Sequence, residues 1–91
     1  MIFEWDPSKA ESNEEKHGVS FPLAATVFFD PLAWTFPDGE HSFGEVRYIT
    51  IGVSKSGSLL VVSHVEVDEE TIRIISAREA TTRERRSYEE S

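Results

Sequence analysis

Residues 46–77 constrain this chain more than any other segment. Val46 to Val53, Leu59 to Val67 and Thr71 to Ala77 are three β-prone runs, separated only by Lys55-Ser56-Gly57 and Asp68-Glu69-Glu70. Val, Ile and Thr are stiff at χ1 and suit a pleated surface. A parallel return needs a crossover of a dozen or more residues, so connections this short dictate an antiparallel meander. Alternation along the first run places Arg47, Ile49, Ile51 and Val53 on one side.

The flanking segments add helices. Phe3-Glu4-Trp5 is a short strand-like start. Asp6-Pro7 then reads as a helix start, with Asp at the N-cap and Pro preorganised behind it. That helix runs to Lys16-His17 and stops at Gly18. Ser20 caps a second helix whose stripe is Phe21, Leu23, Ala24, Val27 and Phe28. It ends at Asp30-Pro31, because Pro disfavours helical geometry in the residue before it. Leu32 to Phe36 is β-prone and meets the turn Pro37-Asp38-Gly39. Thr81-x-x-Glu84 is a capping box opening a last, strongly charged helix toward Tyr88. The expectation is one α+β domain over residues 1–91. It has a small, mostly antiparallel sheet, two N-terminal helices and one C-terminal helix.

Charge narrows the function. Seventeen acidic and nine basic residues give −8, which opposes non-specific nucleic-acid binding by the molecule as a whole. The distribution is uneven. Residues 1–45 hold nine acids and two bases, whereas residues 71–86 hold five arginines and two glutamates. An anion-binding surface is therefore expected from the C-terminal third. No cysteine is present, which excludes disulfides and thiolate chemistry and fits a cytoplasmic protein. The N-terminus lacks the pattern of a signal peptide, and the longest apolar runs are too short to span a bilayer.

Phosphate-loop, nucleophile-elbow and EF-hand motifs are all missing. His17, His41 and His64 follow no metal-ligand spacing, so neither metal nor cofactor is expected. What remains are polar residues on strands. His64, within Val61-Val62-Ser63-His64-Val65, is either a partly buried structural histidine or a general acid or base. Arg73 and Arg78 flank Ile74-Ile75-Ser76-Ala77. They form structural ion pairs or clamp a phosphate, for which the guanidinium fork is suited. An ideal strand points them to opposite faces, because they are five positions apart. Glu45 and Arg47, two apart on one strand, either orient each other across a site or make an edge charge pair. Arg83, Arg85 and Arg86 are a solvated helix face or an RNA contact.

The order of motifs adds what single residues do not. Phe3-Glu4-Trp5-Asp6-Pro7-x-Lys9, Lys16-His17-Gly18-Val19-Ser20-Phe21, His41-Ser42, Glu45-x-Arg47, Ile72-Arg73-Ile74-Ile75-Ser76-Ala77-Arg78 and Thr81-x-x-Glu84-Arg85 together resemble the BrnT family of bacterial toxins, over nearly the whole chain. The resemblance implies a RelE-like fold and the toxin role in a type II toxin–antitoxin pair. It implies metal-independent RNA cleavage that stops translation, with RNA, free or ribosome-associated, as substrate. It also implies neutralisation by a small DNA-binding antitoxin of the ribbon-helix-helix type, through which alone DNA would be met. On this reading His64, Arg73, Arg78, Glu45 and Arg47 are catalytic, and Arg83, Arg85 and Arg86 hold substrate. The acidic N-terminal half supports a second reading, a weakly active or inactive module that serves as antitoxin partner and corepressor.

Overall fold

The structure, a computed structural model, describes residues 1–42 and 44–90. Its elements are β1 (Ile2–Glu4), α1 (Pro7–His17), α2 (Phe21–Ala25), β2 (Trp34–Pro37), β3 (Arg47–Val53), β4 (Leu59–Glu66), β5 (Thr71–Glu79) and α3 (Thr82–Glu90). The expected α+β architecture is present, with the antiparallel meander of β3, β4 and β5, which β2 extends by pairing antiparallel with β3. The sheet order is β1-β5-β4-β3-β2. β1 is the one parallel strand, joining Phe3 to Ile72 and Glu4 to Arg73.

Local chemistry sets the helix ends. Asp6 accepts from Ser8 N at 2.8 Å, Pro7 opens α1, and Gly18 closes it at φ 70° with its N–H on Glu14 O. Ser20 Oγ accepts from Leu23 N at 3.2 Å to open α2. The second helix is shorter than its apolar stripe suggests, because Thr26–Phe29 tightens into a 3-10 turn. β2 also starts late. Asp30 accepts from Leu32 N at 2.9 Å and its carbonyl from Ala33 N at 3.0 Å, so the chain turns before it extends.

The sheet has two differently covered faces. On the first, α1, α2 and the 3-10 turn pack over Leu60, Val62, Ile74 and Ala77, burying Phe21, Ala24 and Val27. Gly52 makes this possible. A Cβ there would lie 2.8 Å from Val27 Cγ1 and 3.2 Å from Val27 O. On the second face, Tyr88 of α3 and Ala80 cover only one end, over Ile51, Leu59 and Val61. Tyr88 Oη donates to Asp30 Oδ2 at 2.6 Å, latching α3 down. The other end of this face is open. Among the described residues no helix is long and apolar enough to cross a membrane.

A bulge decides which residues share the open face. Ser63 of β4 opposes Ser76, but His64 opposes Ile74, so Ile75 is the extra residue. Arg73 therefore opposes Val65, and Arg78 opposes Val61. Residues four apart on one strand share a face, and cross-strand partners do too. Arg73 and Arg78 thus point to the same side, contrary to simple alternation. Arg47 opposes Val65 from β3 and joins them.

Candidate functional site

The open face carries a cleft of about 260 Å³ lined by Asp38, His41, Arg47, Ile49, Val61, Ser63, Ser76 and Arg78. The hairpin end between β2 and β3 shapes one wall. Asp38 N donates to Arg47 O at 2.8 Å, Ser42 Oγ donates to Asp38 O at 2.7 Å, and Arg47 N donates to Ser42 Oγ at 3.0 Å. These bonds tie the turn holding His41 to the first residue of β3. His41 Nδ1 lies 2.9 Å from Asp38 Oδ2. An ionised carboxylate only accepts, so Nδ1 is the donor, and in the neutral ring the lone pair is on Nε2.

The other wall is Arg78. Its Nη1 and Nη2 donate to the two Glu84 oxygens at 2.7 and 2.8 Å. This bidentate pair fixes the guanidinium plane. The Arg78 bond holds the Glu84 carboxyl down at about 2, and Glu84 in turn pushes Arg78 above its ordinary range. Glu84 also accepts from Thr81 N at 2.9 Å, and Thr81 Oγ1 accepts from Glu84 N at 3.2 Å, which completes the expected capping box. Arg47 is less satisfied. Its Nε is buried with no hydrogen-bond partner among the described residues. A buried, unpaired donor costs free energy that an anion in the cleft would recover.

The residues singled out in the sequence separate into groups. Arg47 and Arg78 meet at the cleft. Arg73 shares the face, but its Nε donates to Glu4 Oε2 at 2.8 Å across the β1–β5 pair. Glu45 is exposed in a bend, because β3 begins only at Arg47. The two residues are therefore not on one strand, as alternation required. Arg83, Arg85 and Arg86 are exposed on α3 and line none of the clefts described.

His64 lies on the opposite face. It is 1% exposed, with its ring 4.9 Å from Phe28 and 6.1 Å from Tyr48. Its Nε2 lies 2.8 Å from Thr50 Oγ1, which in turn lies 2.7 Å from Thr35 Oγ1. His64 lines none of the clefts described, and the sheet stands between it and the arginines. Burial pushes its pKa down to about 4, so the ring stays neutral while an unfolded chain would protonate near 6.5. Stability is fully present above pH 6.5 and falls as pH drops toward 4. The loss reaches about 3 kcal/mol at one pKa unit per 1.36 kcal/mol. Urea midpoints for wild type and His64→Leu across that range check this. Between pH 6.5 and 5, above the carboxylate range, the slope should largely disappear in the variant, and a wild type flat over that interval would contradict the assignment.

Sequence reasoning missed His41 and Asp38 as a pair. The signal available was a His three residues after an Asp, in a turn that leads into Arg47. Among the described residues no group of three or more His, Asp or Glu side chains is arranged to hold a metal ion.

The sequence profile of the ribonuclease toxin BrnT of type II toxin–antitoxin systems matches residues 5–84. The chain belongs to the BrnT family. The crystal structure of the Brucella abortus ribonuclease toxin BrnT superposes with a TM-score of 0.70 at 25% identity, over 90% of this chain and all of that one. A search of curated proteins finds no match. The BrnT match contains every residue of the cleft, whereas Arg85 and Arg86 lie beyond it. BrnT membership makes this chain a ribonuclease toxin by family, and a type II toxin implies an antitoxin partner.

Proposed function

We propose that this BrnT protein is a metal-independent endoribonuclease whose site is the arginine cleft. The observation that carries the reading is the convergence of Arg47, Arg78 and an Asp38-backed His41 on one open sheet face, in a chain of a ribonuclease-toxin family. His41 Nε2 takes the proton of a ribose 2′-hydroxyl. The 2′-oxygen bonds to the adjacent phosphorus, and the bond to the 5′-oxygen breaks. The leaving 5′-oxygen takes a proton from water in the open cleft, and the hydroxide left behind takes back the proton held on His41. A 2′,3′-cyclic phosphate and a 5′-hydroxyl result. Arg47 and Arg78 stabilise the charge that grows on the phosphoryl oxygens. Ser63 and Ser76 supply hydroxyls to the floor. Arg73 shares the face and adds field, screened by Glu4. Glu45 and the α3 arginines Arg83, Arg85 and Arg86 stand outside this set, and His64 is a core residue.

Cleavage of messenger RNA, free or on the ribosome, would block translation in the cytoplasm. A small DNA-binding antitoxin of the ribbon-helix-helix type would neutralise it. The acidic N-terminal half also favours a basic protein partner by charge complementarity, which supports the role of corepressor. Induced expression in a bacterial host, wild type beside His41→Ala, separates the readings. Growth arrest and RNA loss from wild type alone, with EDTA-resistant cleavage by the purified protein, is the expected result. Folded wild type that neither arrests growth nor cuts RNA would leave only the interaction module.

A further inference from the structure

The arginine cleft reaches β5, the strand beside the parallel edge strand β1. Ser76 lines it and also lines a second cleft of about 390 Å³ on the α1 side of β5, whose other walls include Lys9, Ser12, Asn13, Lys16 and His17. The opening there follows from pairing. β1 accompanies β5 only as far as Arg73, and Asn13 occupies the backbone of Ala77. Between them neither β1 pairing nor Asn13 occupies the β5 edge, and Ser76 there is a wall of both clefts.

Lys9 and Lys16 stand seven positions apart in α1, so they project to one side, about 10 Å apart along the axis. The chain has only three lysines, and two of them face this cleft in a molecule of net charge −8. The acids of α1, Glu11, Glu14 and Glu15, fall on the opposite sector of the helix at 100° per residue. Neither lysine makes an ion pair among the described residues. Lys9 acts on Asp6 only weakly, because that carboxylate is held below its ordinary range first by Ser8. A second hollow, walled by Glu66, Asp68, Glu69 and Glu70 at the β4–β5 turn, repels a polyanion from the other end of the same strand.

We infer that Lys9 and Lys16 bind backbone phosphates of the RNA strand leaving the arginine cleft over Ser76, making α1 a subsite for flanking nucleotides. The inference rests on RNA being the substrate of the arginine cleft. Such contacts position the strand without reading its sequence and are strongly salt-dependent.

Binding of uncleavable 2′-O-methyl oligoribonucleotides, a trimer and a dodecamer, tests it by fluorescence anisotropy across a salt series. Glutamine is a good helix former, so Lys9→Gln/Lys16→Gln should leave α1 intact, which circular dichroism checks. The double variant should bind the dodecamer roughly tenfold more weakly at low salt. Its slope of log K against log salt should fall by about 1.4, at about 0.7 per phosphate contact on a single strand. The advantage of dodecamer over trimer should shrink with it. Lys55→Gln, at the far β3–β4 hairpin, should leave the slope as in wild type. Equal affinity and slope for the double variant and wild type would overturn the subsite. If such a protein still cleaves RNA, the arginine cleft survives without it. If wild type shows the lysine-dependent slope yet cuts no RNA, the subsite stands and the catalytic reading fails. Wild type that binds neither oligonucleotide removes both.

Discussion

Arg47→Ala is expected to slow RNA cleavage by the purified protein about 10²–10³-fold, the range for removing one donor aimed at developing oxyanion charge. The side chain is placed for little else. Its Nε is buried and unpartnered among the described residues, so alanine removes an uncompensated donor rather than a bond. The thermal transition should therefore stay cooperative and close to that of wild type. Arg47→Lys keeps the charge but not the planar fork, and should recover only part of the rate. Arg78→Ala should cost a similar factor, with some fraying of α3, because Glu84 loses the partner that holds it at about 2. The double variant should be less slow than the product of the two, since both act on one phosphate. Single-turnover cleavage of an end-labelled oligoribonucleotide gives these rates. Full activity in folded Arg47→Ala would move the site off this face.

Asn13→Leu should cost stability rather than rate, by about 3–5 kcal/mol. Asn13 is buried, and its amide works as a missing piece of strand. Nδ2 donates to Ala77 O at 2.8 Å and to Val19 O at 3.0 Å, and Oδ1 accepts from Ala77 N at 3.0 Å. Leucine fills a similar volume but leaves three backbone groups unpaired, each at about 1–3 kcal/mol. For a domain this small that is a large share of the total. Urea unfolding reads it as a lowered midpoint at constant slope. A loss below about 1 kcal/mol would mean that water replaces the amide. Asn13→Asp should also destabilise, since a carboxylate cannot donate to Ala77 O or Val19 O.

Much of this architecture is written locally. The helix stop at Gly18, the caps at Asp6 and Ser20 and the meander through β3, β4 and β5 follow from neighbouring residues. So does the side shared by Arg47, Ile49 and Ile51. What stayed hidden depends on partners far along the chain. The parallel strand β1 pairs with residues about seventy positions later. The bulge at Ile75 has no compositional mark, yet it turns Arg73 and Arg78 to one face. His64 and His41 are equally plausible as letters. Only the packing of Phe28 and Tyr48 against His64, and the Asp38 turn beneath His41, distinguish a core ring from a reachable one.

The pairing of β1 with β5 also sets an order of events. While the chain is being synthesised, β1, α1 and α2 emerge first, carrying Phe3, Trp5 and Phe21 but no strand to pack them on. β1 has no neighbour until Thr71–Arg73 exists, and Asn13 has no backbone to bond until Ala77 does. Contacts this distant form late, after the entropy of closing a loop of 64 or more residues has been met. Arg78 follows Ala77, and Glu84, which orients it, follows in turn. The cleft thus comes into being only after Glu84 has been added. On the proposed reading, a chain that stops before Glu84 has no oriented Arg78 with which to cut RNA.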